Sequence, residues 1–433
     1  MIKSYSFINI IQSLISEIKI KKKKIFPYKN ETKKVIFSYF PGYTFEKKFI
    51  SKYFSEVSSL IKNDYAWLFF YVGNNKMMKH QDQIIKNRLN TFGFLETYFS
   101  IRDFKQVLHK FLKINKKLKS IKYKNLFIFK EINYLEIFKS DWMHSIKFVL
   151  LKAIIFEKKF SNFLNENSHI KEIIYLMEYQ DWELMLNKVA QKRGVKTKGI
   201  IHIVVRPNLM NYYHSKLIHK YLYKPSFVGV NSDFSKSLLL KNGFNEEQIL
   251  KIEAQRFNYL ADVQNNNVEN IKSKNSILII TSINYKETKE LLEVFASSNV
   301  KFEKVYIKEH PHLKVSSIIK NLNKNFPAYE LVNGSVMDAF SCSEIIYIAN
   351  GSSVLLESVL CKKITLSLIS LSTLPMPAVD KASNLHFVYD SHSLSDILIK
   401  LKTKPQECLF SDDNYDYLYL DKRLNLWNNF IKK

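Results

Sequence analysis

Val305-Tyr-Ile-Lys-Glu-His-Pro-His312 and Glu344-Ile-Ile-Tyr-Ile-Ala-Asn-Gly-Ser-Ser-Val354 decide how this chain is read. Each is a short β-branched and aromatic run that stops abruptly in polar residues, as parallel strands do where an open α/β sheet delivers side chains to its C-terminal edge. Gly351 permits a sharp turn, and Ser352-Ser353-Val-Leu-Leu-Glu-Ser-Val-Leu360 has helical periodicity, so both serines are expected at a helix start. Free N–H groups, the positive dipole end and two hydroxyls would then converge on one spot suited to an anion; an ordinary serine cap is the plainer alternative. In the first stretch, Pro311 ends the strand and fixes the backbone after His310, while Lys308 and His310 bring a permanent and a titratable positive charge to the strand tip. A solvated turn histidine would look the same alone, but its pairing with a downstream Gly-Ser-Ser helix start is more specific.

Outward from these two stretches, apolar runs at Val35–Phe40, Trp67–Gly73, Leu126–Glu131, Glu172–Glu178, Lys198–Val205 and Phe227–Asn231 alternate with helix-like segments. They predict a βαβ-type domain over residues 1–262. The polar tract at 263–275 lacks periodicity and reads as a linker. Beyond it, Ser276–Ser282, Lys304–Ile307, Glu344–Ala349 and Lys363–Ile369 predict a second parallel sheet over 276–414, with a helix at 415–433 that can cross back to the first domain.

Glu172–Met177 is expected to be a strand with Glu178 at its exit, before Asp181-Trp182-Glu183 opens a helix running to Arg193-Gly194. A carboxylate at a strand's C-terminal tip is where a general base belongs. Asp181 and Glu183 are rivals, although acids at a helix start also simply complement its dipole. Gln180 shares the same short run. His202 ends the next apolar run and could face the cleft beside Glu178, or be a core histidine. Arg206 and Arg256 are two of only six arginines. A guanidinium fork suits a carboxylate or phosphate ligand, while an ion pair with Glu253 is the structural alternative for Arg256.

At 433 residues with 46% hydrophobic and 14% aromatic content, the chain can fill two cores, which excludes disorder as its general state. Sixty-six basic against 40 acidic residues give a net charge of +26 and point to acidic partners. Cys342, Cys361 and Cys408 have neither metal-ligand spacing nor the even count of a disulfide framework, so a reducing cytoplasm is expected. No apolar stretch is long enough to span a bilayer, and Gln12, Ser13 and Glu17 interrupt what would otherwise resemble a signal sequence. Within 1–34, Phe7, Ile8, Ile11, Leu14, Ile15 and Ile18 recur at helical spacing ahead of Lys19 and Lys21–Lys24. That segment reads as a helix docked on its own domain or as one lying on an anionic membrane at the inner face. The second basic run, Lys113–Lys124, interleaves lysine with Leu118, Ile121 and Tyr123 and reads as one solvated helix face, with membrane-surface or acceptor-glycan contact as the sharper alternative.

Lys308-Glu-His-Pro311, Pro327-Ala-Tyr-Glu330 and Gly351-Ser-Ser353 resemble the donor-binding half of bacterial sialyltransferases and related Kdo and capsule transferases, which have the GT-B architecture of two Rossmann-like domains facing a cleft. The resemblance implies that His310, Ser352 and Ser353 hold the phosphate of a CMP-activated sugar, with Lys308, Pro311 and Gly351 in the same donor site. Glu330 would hold the ribose, with Glu344 as competitor. Glu172–Glu183, Gly199-Ile-Ile-His202 and Ile252–Tyr259, with Ser38-Tyr39-Phe40, are similar to a family of bacterial surface carbohydrate biosynthesis proteins, a likeness spanning residues 35 to 400.

The first family's use of an N-terminal acid as base implies that role for Glu178. Its acids are followed by glycine, however, whereas this run reads Glu-Tyr-Gln-Asp-Trp-Glu. The expected activity is metal-independent transfer of a nonulosonic or ulosonic acid, of sialic, legionaminic, pseudaminic or Kdo type, from a CMP-sugar to a surface glycan or glycolipid. Capsule, lipopolysaccharide and lipooligosaccharide are the candidate acceptors, and no cofactor is expected. The alternatives are a transferase using another nucleotide sugar or a CDP-polyol, and a non-catalytic polysaccharide-assembly protein at the membrane surface. Nucleic acid is not an expected partner, because no recognised binding module is present.

Overall fold

The computed structural model describes residues 33–40, 43–45, 49–51, 53–54, 57–60, 65–71, 92–121, 127–206, 209–262, 275–322, 326–349, 352–370, 377, 379, 381–403 and 417–433. The amphipathic run before residue 33, the tract 263–274, Gly351, Lys122, Lys124 and Cys408 lie outside them.

Seven parallel strands form the first sheet: β1 (Lys34–Phe40), β2 (Tyr65–Tyr71), β3 (Phe92–Phe94), β4 (Glu172–Leu176), β5 (Lys196–Ile200), β6 (Phe227–Val230) and β7 (Ile249–Lys251). Their spatial order is β3-β2-β1-β4-β5-β6-β7. Six more form the second: β8 (Ser276–Ile280), β9 (Lys304–Lys308), β10 (Glu330–Leu331), β11 (Ile345–Ala349), β12 (Ile364–Leu368) and β13 (Leu385–Val388), in the order β10-β9-β8-β11-β12-β13. In each sheet the first strand is internal and the order reverses once, between β1 and β4 and between β8 and β11. This is the doubly wound pattern of a Rossmann-like fold, which opens a crevice beyond the strand C-termini at the reversal.

Both sheets are buried on two faces, as their unbroken apolar strands require. Along β1, Val35 and Phe37 join one core with Phe156, Phe160 and Leu186, whereas Ile36 and Phe40 join another with Trp67 and Trp427. Along β8, Ile277 and Ile279 pack with Leu291 and Leu398, while Leu278 and Ile280 pack with Leu355 and Phe257. Among the helices are α1 (Ile101–Ser120), α2 (Leu135–His144), α3 (Leu150–Glu166), α4 (Asp181–Lys192), α5 (Tyr285–Ser297), α6 (Val354–Leu360), α7 (Ser391–Thr403) and α8 (Asn425–Lys432). Helix α1 packs on α3, and the helix Asp233–Asn242 also covers the first sheet through Leu238 and Leu239.

The chain end packs on the first sheet. Glu253 accepts the N–H groups of Leu426 and Trp427 at 2.8 and 2.9 Å, capping α8, while buried Lys198 pairs with Glu172 at 3.0 Å and donates to the carbonyls of Phe430 and Ile431. Helix occupies only Asn425–Lys432; residues 417–424 carry none. The expected strand Leu126–Glu131 does not join the main sheet: its described residues, from Phe127 on, enter an antiparallel hairpin pairing Ile128–Phe129 with Ile132–Asn133. Strands β3, β7, β10 and β13 have no counterpart in the sequence reading. They are short, at four residues or fewer, and lie at or near sheet edges.

Candidate functional site

At the reversal of the first sheet, β4 ends at Leu176 and the chain turns through Met177 and Glu178 into α4. Tyr179 makes this turn at φ +57°, a left-handed conformation that costs a non-glycine residue energy and needs support from its neighbours. Glu183 supplies it. Its carboxylate is 1% exposed and accepts the Glu178 N–H through both oxygens and the Tyr179 N–H at 2.9 Å. Burial pushes this carboxyl up to about 8 despite those donors, and nearby Glu178 adds to the rise.

The half-buried Glu178 side chain is held from two sides. Gln180 donates to its Oε2 at 2.6 Å and is itself oriented by Trp182 Nε1, which donates to Gln180 Oε1 at 2.8 Å. His202 Nε2 stands 3.5 Å from Glu178 Oε1. Burial, and then the charge of Arg256, lower the His202 pKa to about 4, so the ring is neutral near pH 7. The Tyr53 ring meets it edge-on at 5.3 Å. Asp181 is turned elsewhere: it pairs with Lys152 at 3.4 Å and accepts the Trp182 N–H. Of the three acids weighed as base, Glu183 is committed to the backbone and Asp181 to a surface lysine, which leaves Glu178 in the crevice.

Arg256, exposed on the segment after β7, has a charge felt in both halves of the molecule. Its charge acts on His202 and Tyr53 in the first half, and on Glu357 of α6 in the second. The anticipated partner Glu253 caps α8 instead. On the segment after β5, burial lowers the Arg206 pKa, while Glu287 of α5 pulls it back up. Tyr259 donates to Glu357, adding a direct link from the segment after β7 to α6.

At the reversal of the second sheet, Thr281 follows β8, His310 follows β9 and Ser352-Ser353 follow β11. The strands that His310 and the serines follow, β9 and β11, stand two strand spacings apart, about 10 Å, with β8 between them. Thr281 Oγ1 accepts the His310 N–H at 3.1 Å, and His310 Nδ1 accepts the His312 N–H at 3.2 Å. With Nδ1 accepting, Nε2 is the ring nitrogen that carries a proton and can donate. Pro311 forms the turn closed by the His310–Leu313 bridge. Ser352 Oγ accepts the Val354 N–H at 3.2 Å, whereas Ser353 is already helical, at φ −67° and ψ −21°, and its hydroxyl caps nothing.

Three expectations change here. Lys308 donates to the Gly334 and Val332 carbonyls at 2.6 and 3.3 Å, so its ammonium serves the segment after β10. Glu330 pairs with Lys304 at 3.7 Å. Lys304 opens β9, about 13 Å of strand before Lys308, so Glu330 is turned toward the N-terminal edge and away from the tips bearing His310 and Ser352. Its assignment to a ribose beside them is corrected accordingly. Glu344 precedes β11 at that same N-terminal edge. Sequence reasoning missed Thr281, Tyr53 and the bracing role of Glu183. Only Thr281, the first polar residue after an apolar run, carried a readable signal.

No family model matches the sequence, and no curated protein does. Solved structures do. The UDP-GlcNAc 2-epimerase of Neisseria meningitidis, crystallised with UDP-GlcNAc, superposes with a TM-score of 0.52 at 12% identity, covering 92% of this chain and all of that one. A candidate UDP-N-acetylglucosamine 2-epimerase of Listeria monocytogenes gives 0.51 at 10% identity, covering 92% and 95%. The chain has the GT-B fold. At such identities the likeness extends to architecture alone. Within this GT-B protein, the residues at the two reversals offer a carboxylate with a neutral imidazole on one side, and hydroxyls with an N–H donor on the other. The first set can take a proton from a hydroxyl; the second can hold an oxyanion.

Proposed function

We propose that this chain is a glycosyltransferase whose second sheet holds a nucleotide-sugar donor and whose first sheet activates a hydroxyl acceptor. The observation carrying the proposal is the Glu178–His202 contact at the reversal of the first sheet. Glu178 takes the proton from the acceptor hydroxyl as its oxygen attacks the anomeric carbon. The anomeric carbon–oxygen bond to phosphate breaks, and the pair of electrons leaves on the nucleotide. His310 Nε2, the Thr281 and serine hydroxyls and the dipole of α6 stabilise the departing phosphate oxygens.

For the donor we favour a CMP-activated sugar acid, on the likeness of His310-Pro311 and Ser352-Ser353 to transferases of that class. The acceptor in that reading is a glycan or glycolipid hydroxyl. A UDP-sugar is the second reading, because Lys308 and Glu330, two residues of the CMP-specific likeness, are engaged elsewhere. Mass spectrometry of donor turnover with purified protein tests the proposal. Release of one nucleoside phosphate from a sugar donor, lost in Glu178→Gln, supports it. A protein inert toward CMP-sialic acid, CMP-Kdo and UDP-hexoses alike contradicts it.

A further inference from the structure

We propose that the arm formed by α1, the hairpin Ile128–Asn133 and α2 is a docking surface for an anionic lipid bilayer. The hairpin projects from the first-sheet half with its apolar side chains in water: Ile128, Phe129 and Ile132 are 51%, 64% and 56% exposed, and Ile137 and Phe138 on α2 are 68% and 46% exposed. Phe129 and Ile132 stand opposite each other and share one face of the hairpin, and paired exposed apolar side chains of this kind mark a contact site. The turn joining the hairpin strands is Lys130-Glu131, with both residues at positive φ, +48° and +70°. Such a two-residue turn normally takes Asn and Gly, so the chain accepts strain in holding Phe129 opposite Ile132 at the tip. Beneath the tip, Phe127 stacks on Phe138 at 6.0 Å and meets Trp142 edge-on at 6.0 Å, which fixes the hairpin to α2.

Charge selects the partner. Helix α1 carries seven basic residues and one acid, Asp103, and that acid is bound to Ser100 and Lys158. Ile101, Leu108 and Leu112 follow one another at spacings of seven and four, a single exposed stripe, and Lys105, Lys116 and Lys119 lie on the same side of the helix. Lysines flanking exposed aliphatic and aromatic side chains are complementary to acidic headgroups over an acyl boundary, where their stems stay apolar and their ammonium groups reach the phosphates. No helix among the described residues is long and apolar enough to cross a membrane, which fits attachment at the surface.

Vesicle co-sedimentation of the full chain tests it. Wild type is expected to sediment with phosphatidylglycerol-containing vesicles, progressively less as salt is added, and not with pure phosphatidylcholine. Phe129→Ser with Ile132→Ser should lower partitioning at least about tenfold, with circular dichroism and melting unchanged. Lys116→Gln with Lys119→Gln should lower it about tenfold, on anionic vesicles. A wild type that ignores anionic vesicles overturns the proposal, as does a hairpin variant that binds like wild type. Light scattering that finds a dimer broken by the hairpin substitutions, in a chain indifferent to lipid, would assign the arm to a second copy instead.

Discussion

Glu183 positions Glu178 through the backbone, with both oxygens of its buried carboxylate within 3.0 Å of the Glu178 nitrogen. The relationship explains why two acids five residues apart have different tasks: one braces a strained turn and the other is left at the crevice. It also makes stability depend on pH. A carboxyl raised from its ordinary range to about 8 favours its protonated form in the folded state. Its contribution is complete below about pH 4.5 and is lost as pH rises through 8, on the order of a few kcal/mol. Glu183→Gln should flatten that fall in denaturation curves collected across the range. An unchanged slope would remove Glu183 as its source.

Glu178→Gln should reduce turnover about 10²- to 10⁴-fold, the usual contribution of a general base, with nucleotide affinity unchanged. Asp181→Asn should leave turnover near wild type, because Asp181 faces Lys152 on the surface. Steady-state rates for the two variants settle the assignment, and a reversed pattern would move the base to Asp181.

His202 should titrate near pH 4 by NMR, against an ordinary 6.5, because burial and Arg256 both disfavour its charged form. The stability it contributes is present above pH 6.5 and lost as pH falls through 4. A His202 resonance shifting near 6.5 would contradict the burial that holds the ring neutral beside Glu178.

How much of this could be read beforehand depended on whether a residue's surroundings are local. The tips after β4, β9 and β11 were legible because a strand's apolar run, its polar stop and the following helix start are all contiguous in sequence. Glu330 was misassigned because its direction follows from the pairing of β10 with β9, a register no local pattern encodes. The run Leu126–Glu131 has strand composition, and Ile128–Phe129 within it do form β structure, but whether a strand enters a sheet or an exposed hairpin is decided by partners elsewhere in the chain. Phe92-Gly-Phe94 is too short for alternation to register.

Lys198→Met should destabilise the protein by about 3–5 kcal/mol in urea unfolding, since it leaves Glu172 buried without its cation and frees the last carbonyls of α8. Adding Glu172→Gln should recover part of the loss. A single variant as stable as wild type would show that the chain end does not depend on this pair.

Isothermal titration calorimetry with CMP, CDP, UDP and GDP tests the central claim, that the reversal of the second sheet is a nucleotide site. One of these ligands should bind the wild type and Glu178→Gln equally, and bind His310→Ala and Ser352→Ala at least about tenfold more weakly. Binding of none of them, or equal binding by the two second-sheet variants, would contradict it.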